Sequence, residues 1–237
     1  MRFIPSLPLT LMLAALAVVF LRLGLWQLER KTEKEDLFAA FEAAPELRIE
    51  EALARELKFA RVEGHGRYDP ARHLLLDNRI WNGRAGVHVL TPFRLDDGRT
   101  VLVNRGWLPL PADRRSLPEV TTDAAERSLR GRLVRPPTGG PRLGDPDVLA
   151  VDRWPQLMTY FDIDAAAAAM GEPLLPWVVQ LDPAEAGGFD DRQWRPAVME
   201  PAVHGGYAVQ WLALLATTLA IWFLLGLRRG RHEGNLQ

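Results

Sequence analysis

Residues 201–230 read PAVHGGYAVQWLALLATTLAIWFLLGLRRG, and the fold turns on this stretch. From Tyr207 to Leu227 it carries no charge, and about 20 apolar residues suffice to cross a bilayer as a helix. It is richer in leucine and tryptophan than a soluble core helix requires. Yet His204 stands just before the run, and Gln210 and Trp211 stand inside its mouth. An imidazole or amide is costly to desolvate in hydrocarbon, so such groups sit at an interface, face a partner or hold something.

The other end of the chain carries a matching run, LPLTLMLAALAVVFLRLGLWQL from Leu7 to Leu28, whose single charge is Arg22. A secretory leader also shows a basic start and an apolar stretch. This run is long for a leader, no small-x-small cleavage site follows it, and ERKTEKEDLFAAFEAA continues it as a polar helix, so the segment is expected to be retained. Basic residues flank the outer limits of both spans: Arg2 precedes the first, while Arg228, Arg229 and Arg231 follow the second. That bias places both termini inside and the long middle segment outside, although Arg30, Lys31 and Lys34 act against it. No Arg- and Ser-rich transit segment precedes the first span, which fits a bacterial plasma membrane with a periplasmic middle domain.

The expected organisation is a first transmembrane helix at 7–28, an extramembrane α+β domain at 29–203, a second transmembrane helix at 207–227 and a basic tail at 228–237. The overall net charge of -1 gives no general affinity for nucleic acid, and none is expected as a partner; membrane lipid is. The absence of cysteine excludes disulfides, thiolate metal sites and dithiol copper relays.

In the middle segment, Pro45 breaks the polar helix, IEEALARE forms a short one, and KFARVEGHGRYD begins a β-rich region. His73–Asp77, Val87–Phe93 and Arg99–Val103 read as strands, separated by NRIWNGRAG and by LDDG, where Asp97-Gly98 makes a hairpin turn. VLVNRGWLP is expected to end a strand at Asn104-Arg105-Gly106 with a bulge or tight turn at Gly106. ERSLRGRLVRPP and PWVVQLDP are further strands, DIDAAAAAMGEP is a helix capped by Asp162 or Asp164 and by Gly171, and PTGGPRLGDPD is a mobile loop. With no βα alternation, the reading is an antiparallel sheet that curls toward a barrel.

Catalytic signatures are missing: no GxSxG, HExxH, Walker or GxGxxG pattern occurs, so an enzyme is not expected. His65, His73 and His88 fall on different strands without ligand spacing. On a helix, His204, Ala208, Trp211 and Leu212 share a face with Tyr207 and Gln210 beside it, while the first span carries Arg22, Trp26 and Arg30 at i, i+4 and i+8 with Gln27 adjacent. An aromatic belt accounts for the tryptophans and the tyrosine. The glutamines and the deep Arg22 are better explained by a bound amphipathic macrocycle, with an imidazole on iron, aromatic walls and arginines on carboxylates.

Read together and in order, LGLWQLERKTEK, GRYDPARHLLLDNRIWNGRAGVHVLTPF, DGRTVLVNRGWLP and PAVHGGYAVQW resemble the surfeit locus protein family, over essentially the whole chain. The resemblance implies a membrane assembly factor of cytochrome c oxidase that assists haem a insertion into the largest subunit, with that subunit and haem a synthase as partners. It implies His204 as a haem-iron ligand, with Tyr207, Gln210 and Trp211 completing HxxYAxQW. Gly24, Trp26, Gln27 and Arg30 match the first-span motif; Asn104, Arg105, Gly106 and Trp107 match the central one and are expected to shape a partner-docking face. The sequence departs from the family in following the histidine with Gly205-Gly206, where a bulky or polar residue is common. A carrier of haem a and a pure scaffold for oxidase maturation both remain open at this point, with a membrane-tethered periplasmic enzyme the least favoured reading.

Overall fold

The computed structural model describes residues 5–111, 116–136, 147 and 149–234, with side chains of the last helix described to Arg229. The elements in order are α1 (Leu7–Glu42), β1 (Glu46–Arg48), α2 (Ile49–Ala54), β2 (Arg61–Tyr68), β3 (Leu74–Trp81), β4 (Arg84–Leu95), β5 (Thr100–Pro109), β6 (Arg127–Val134), β7 (Gln156–Met158), α3 (Ile163–Met170), β8 (Leu174–Leu181) and α4 (Pro201–Gly234). They fall into two units, Met1–Glu42 with Arg195–Gln237, and Ala43–Trp194. The glycine- and proline-rich loop expected at 137–147 lies outside the described residues except for Asp147, as do Arg2 and the side chains of Arg231 and His232.

The first unit is a pair of helices, α1 and α4, each long and apolar enough to cross a membrane. They run antiparallel: Trp222 meets Thr10, Trp211 stacks on Phe20, and His204 meets Gln27. Residues drawn in from solvent recur along α1 at Thr10, Leu13, Ala17, Phe20, Gly24, Gln27 and Lys31, and along α4 at His204, Ala208, Trp211, Leu215, Thr218 and Trp222. Spacings of three and four residues make one continuous seam, the geometry of a left-handed two-helix coil. Close approach is allowed by Gly24, where an added Cβ would stand 3.1 Å from the Leu212 side chain. The remaining faces are leucine, valine and methionine open to the surroundings, among them Leu7, Leu11, Met12, Val18, Val209 and Leu224. A soluble protein does not leave so large an apolar surface uncovered. The two helices make this a two-pass membrane protein.

The second unit is built on a closed ring of strands. β2 bonds β6 along Arg61–Gly66 and β4 along Gly66–Tyr68; β4 bonds β5, β5 bonds β8, and β8 returns to β6. All of these pairs are antiparallel except β5–β8, which is parallel. β1 extends the sheet from β2, and β3 followed by β7 extends it from β4, both terminal pairs parallel. The barrel expected from the strand pattern is therefore present, with a mixed sheet in place of an antiparallel one. The reason is chain length: α3 and the segments around it carry the chain back across the barrel, so β8 enters beside β5 in the same direction. Ring order and directions are those of the five-stranded Greek-key barrel called the OB-fold.

Its interior is filled by Val62, Phe93, Val101, Val103, Leu129 and Val179, and one end is closed by α2, whose Ile49 is fully buried. Ile49 fits because Gly64 on β2 has no side chain; a Cβ there would stand 2.7 Å from the Ile49 methyl. Outside the barrel, α3 packs Ala166 and Met170 against Leu90, Leu102 and Val178. As expected, Asp162 caps α3, accepting from the amides of Asp164 and Ala165 at 3.1 Å, and Gly171 ends it at φ 67°.

Two local expectations need correction. NRIWNGRAG does not separate strands: β3 runs through it to Trp81, turns at Asn82-Gly83 with φ of 48° and 73°, and continues as β4 from Arg84. Asn-Gly between two strands is the tight hairpin signature. Likewise β5 does not stop at Asn104–Gly106 but continues to Pro109 through a bulge, since His88 faces Trp107 while Leu90 faces Asn104. The bulge expected at Gly106 is real, with φ 108°.

Candidate functional site

On the helix pair, His204 and Gln27 face each other across the seam, 8 % and 9 % exposed. Helix α4 begins at Pro201 and runs unbroken through Gly205 and Gly206, so the histidine sits on a formed turn. The His204 Nδ1 lies 2.8 Å from the Gln27 Oε1. Where the Gln27 oxygen is the acceptor, Nδ1 is the donor, and Nε2 is the ring nitrogen that the contact does not engage. A buried amide facing a buried imidazole satisfies two groups that hydrocarbon would otherwise penalise.

The other residues singled out at the span ends do not join this contact equally. Trp211 is half-buried in the seam, its ring 5.9 Å from that of Phe20. Trp26 and Tyr207 are 49 % and 46 % exposed on the flanks, and Gln210 and Arg22 are also exposed. Arg30 pairs with Glu33 on its own helix. Lys31, read from sequence only as a charge against the orientation bias, pairs with Glu35 at 3.3 Å, and its stem passes beside Gly205. A Cβ at Gly206 would meet nothing within 4 Å, so this end of α4 is open on that side.

In the barrel domain the central motif is internal. Arg105 is 3 % exposed; its Nε donates to the Gly187 carbonyl at 2.7 Å, Nη1 donates to Thr122 Oγ1, and the guanidinium lies over the rings of Phe189 (4.8 Å) and Tyr68 (5.1 Å). Burial pulls its pKa below the ordinary arginine value. Burial likewise pushes the Tyr68 hydroxyl up to about 12, against the pull of Arg105 and Arg127. Trp107, 1 % exposed, donates from Nε1 to the Arg79 carbonyl at 2.9 Å and packs on Trp81. Its backbone amide donates to the Asp190 carbonyl at 2.7 Å, and the Phe189 amide donates to the Arg105 carbonyl at 2.6 Å. Asn104 closes the bulge by accepting from the Gly106 amide at 3.1 Å and reaches His88 Nδ1 at 3.2 Å. Arg105, Gly106 and the Trp107 amide thus hold segment 187–190 against β5, Asn104 braces the bulge, and all four offer little surface of their own.

The three outer histidines stay apart. His65 is exposed; His73 is buried against Thr91 and the Pro70 carbonyl; His88 is held at about pKa 4 by burial, aided by the Arg79 charge. Among the described residues no group of three or more His, Cys, Asp or Glu is placed to hold a metal ion. One cluster went unread in the sequence: Glu172, just past the α3 cap, receives Arg72 at 2.5 Å, Arg94 at 2.8 Å and Thr100 at 3.1 Å, and Asp69 receives Arg72 from the other side. Its members come from four separate segments, so no local spacing announces it. These groups line a cleft of ≈ 360 Å³.

Comparison with known proteins follows the same lines as the residues. The SURF1 family profile matches residues 14–216. A SURF1-like protein of Monosiga brevicollis is 30 % identical over 94 % of this chain and 89 % of its own length. Surfeit locus protein 1 of Takifugu rubripes is 27 % identical over 85 % of this chain and 90 % of its own. A SURF1-like protein of Rickettsia felis is 30 % identical over 38 % of this chain and 41 % of its own.

Proposed function

The chain belongs to the SURF1 family, and on that premise we propose that it is a non-enzymatic assembly factor of haem-copper cytochrome c oxidase. It holds haem a transiently, as cargo, at the outer end of the helix pair, and passes it to the oxidase's largest subunit. Haem a synthase is the donor partner in this reading. The membrane is the bacterial plasma membrane, with both termini in the cytoplasm and the barrel in the periplasm, an orientation supported by Arg228 and Arg229 beyond the second span.

The observation that carries the reading is the Gln27–His204 contact. Ligating histidines characteristically donate their second ring N–H to an oxygen acceptor, which fixes the tautomer and strengthens the donor nitrogen. In this reading Gln27 is that acceptor, and Nε2 is the nitrogen offered to iron. Trp26 and Tyr207, exposed on the flanks, serve as apolar walls, Trp211 and Gln210 complete the surround, and Arg22 and Arg30 meet the propionates. The full chain purified from cells that make haem a is expected to carry a haem spectrum that His204→Ala abolishes. An unchanged spectrum in that variant removes the ligand role.

A scaffold reading draws on the same burial: at 8 % exposure His204 is also a helix-packing residue. It predicts that His204→Ala leaves oxidase maturation intact, while Arg105→Ala, which frees the Gly187 carbonyl, or Trp107→Ala, which frees the β3–β4 hairpin at Arg79, impairs capture of the nascent subunit. Oxidase activity in membranes of the three variants separates the two.

A further inference from the structure

At the far end of the helix pair from His204, the chain places a feature that the cargo reading leaves unused. A cleft of ≈ 400 Å³ opens between the first turns of α1 and the late turns of α4, with Ser6, Thr10, Trp222, Leu225, Arg228 and Arg229 among its lining. Among the described residues, every charged side chain that lines it is basic. Trp222 ties the two walls together by donating its indole N–H to Thr10 Oγ1 at 3.1 Å. The cleft sits where the uncharged run ending at Leu227 gives way to arginine, which is headgroup depth for a membrane-spanning helix. Along the helices its lining passes from Ser6, Arg228 and Arg229 to Leu9 and Leu225 and then to the mutually bonded Thr10 and Trp222, so the occupant it fits is anionic at one end and aliphatic beyond it. The amino end of α1 adds positive potential from its first-turn amides.

We propose that this cleft binds the phosphodiester headgroup of an anionic phospholipid drawn from the surrounding bilayer. Arg228 and Arg229 neutralise the phosphate, Ser6 offers a hydroxyl to it, and the acyl chains follow Leu9 and Leu225. A zwitterionic lipid carries the same phosphate but sets a quaternary ammonium against the same two guanidinium groups, so the site selects net negative charge. Basic pockets between helices at the inner face of a bilayer are suited to this recognition. The proposal stands apart from the haem reading, since it uses the opposite end of the seam.

The test is native mass spectrometry of the full chain in detergent, titrated with phosphatidylglycerol and with phosphatidylcholine of identical acyl chains. Phosphatidylglycerol is expected to be retained as a single adduct at least about tenfold more strongly. R228Q/R229Q should erase that preference, R228K/R229K should keep most of it, and R48Q/R130Q, which removes equal charge from the barrel domain, should leave it unchanged. Far-ultraviolet circular dichroism of each variant verifies folding. Equal retention of the two lipids, or an undiminished preference in R228Q/R229Q, overturns the proposal. Displacement of the adduct by inorganic phosphate at the concentration of the lipid overturns its assignment to a bilayer lipid.

Discussion

Gln27 and His204 lie far apart in sequence, and their hydrogen bond is the contact on which the cargo reading rests. If Gln27 fixes the tautomer, Gln27→Leu should weaken haem a retention about 10–100-fold without abolishing the spectrum, because the imidazole remains but loses its orienting partner. Titration of the purified variants with haem a measures this. In the barrel, His88 makes a different residue-scale prediction. Its folded pKa of about 4 lies below the ordinary 6.5, so between those values the unfolded chain binds the extra proton. Stability then rises with pH: the contribution is fully present above pH 6.5 and is lost as pH falls toward 4, by up to roughly 3 kcal/mol. Burial is the larger cause and the Arg79 charge the smaller. His73, also lowered by burial, acts in the same direction. Urea midpoints of the detergent-solubilised chain at pH 7 and pH 4.5 should differ accordingly, and His88→Gln should flatten the slope.

At the scale of elements, the bulge in β5 explains why Asn104-Arg105-Gly106-Trp107 occur together. The extra residue turns Arg105 toward the Gly187 carbonyl while Trp107 returns to register opposite His88. Gly106 is required twice over, by its φ of 108° and because a Cβ would collide with the Asp190 carbonyl oxygen. Gly106→Ala should therefore destabilise the barrel by about 2–3 kcal/mol, and Trp107→Ala by about 3–5 kcal/mol, measured by denaturant unfolding of the full chain. In the helix pair the sensitive position is Gly24. Gly24→Leu is expected to push α1 off Leu212 and lower the thermal midpoint in detergent, whereas Gly24→Ala asks Leu212 to yield only a few tenths of an ångström and should be mild. An equal response to both substitutions would speak against close packing at that point.

At the scale of the whole molecule, the chain is a pair of apolar helices with a barrel domain inserted between them in sequence. Because it contains no cysteine, single introduced thiols report topology directly. A cysteine at Val151, 72 % exposed, should react with a membrane-impermeant maleimide in intact spheroplasts, and Q237C only after permeabilisation. The reverse pattern would invert the proposed orientation. The two spans, the capped helix α3, the Asp97-Gly98 hairpin and the bulge at Gly106 are legible along the chain, because uncharged length, side-chain capping and positive φ are properties of neighbouring residues. The tertiary structure alone decided that β8 lies parallel to β5 and closes the ring, that Glu172 gathers Arg72 and Arg94, and that Gln27, rather than its neighbour Trp26, faces His204. Spacing placed Arg22, Trp26 and Arg30 on one face of α1, but which face meets α4 depends on the seam set by Gly24, Phe20 and Trp211. Such choices follow from packing between segments distant in the chain, where the free energy of a contact depends on what the rest of the molecule brings to it.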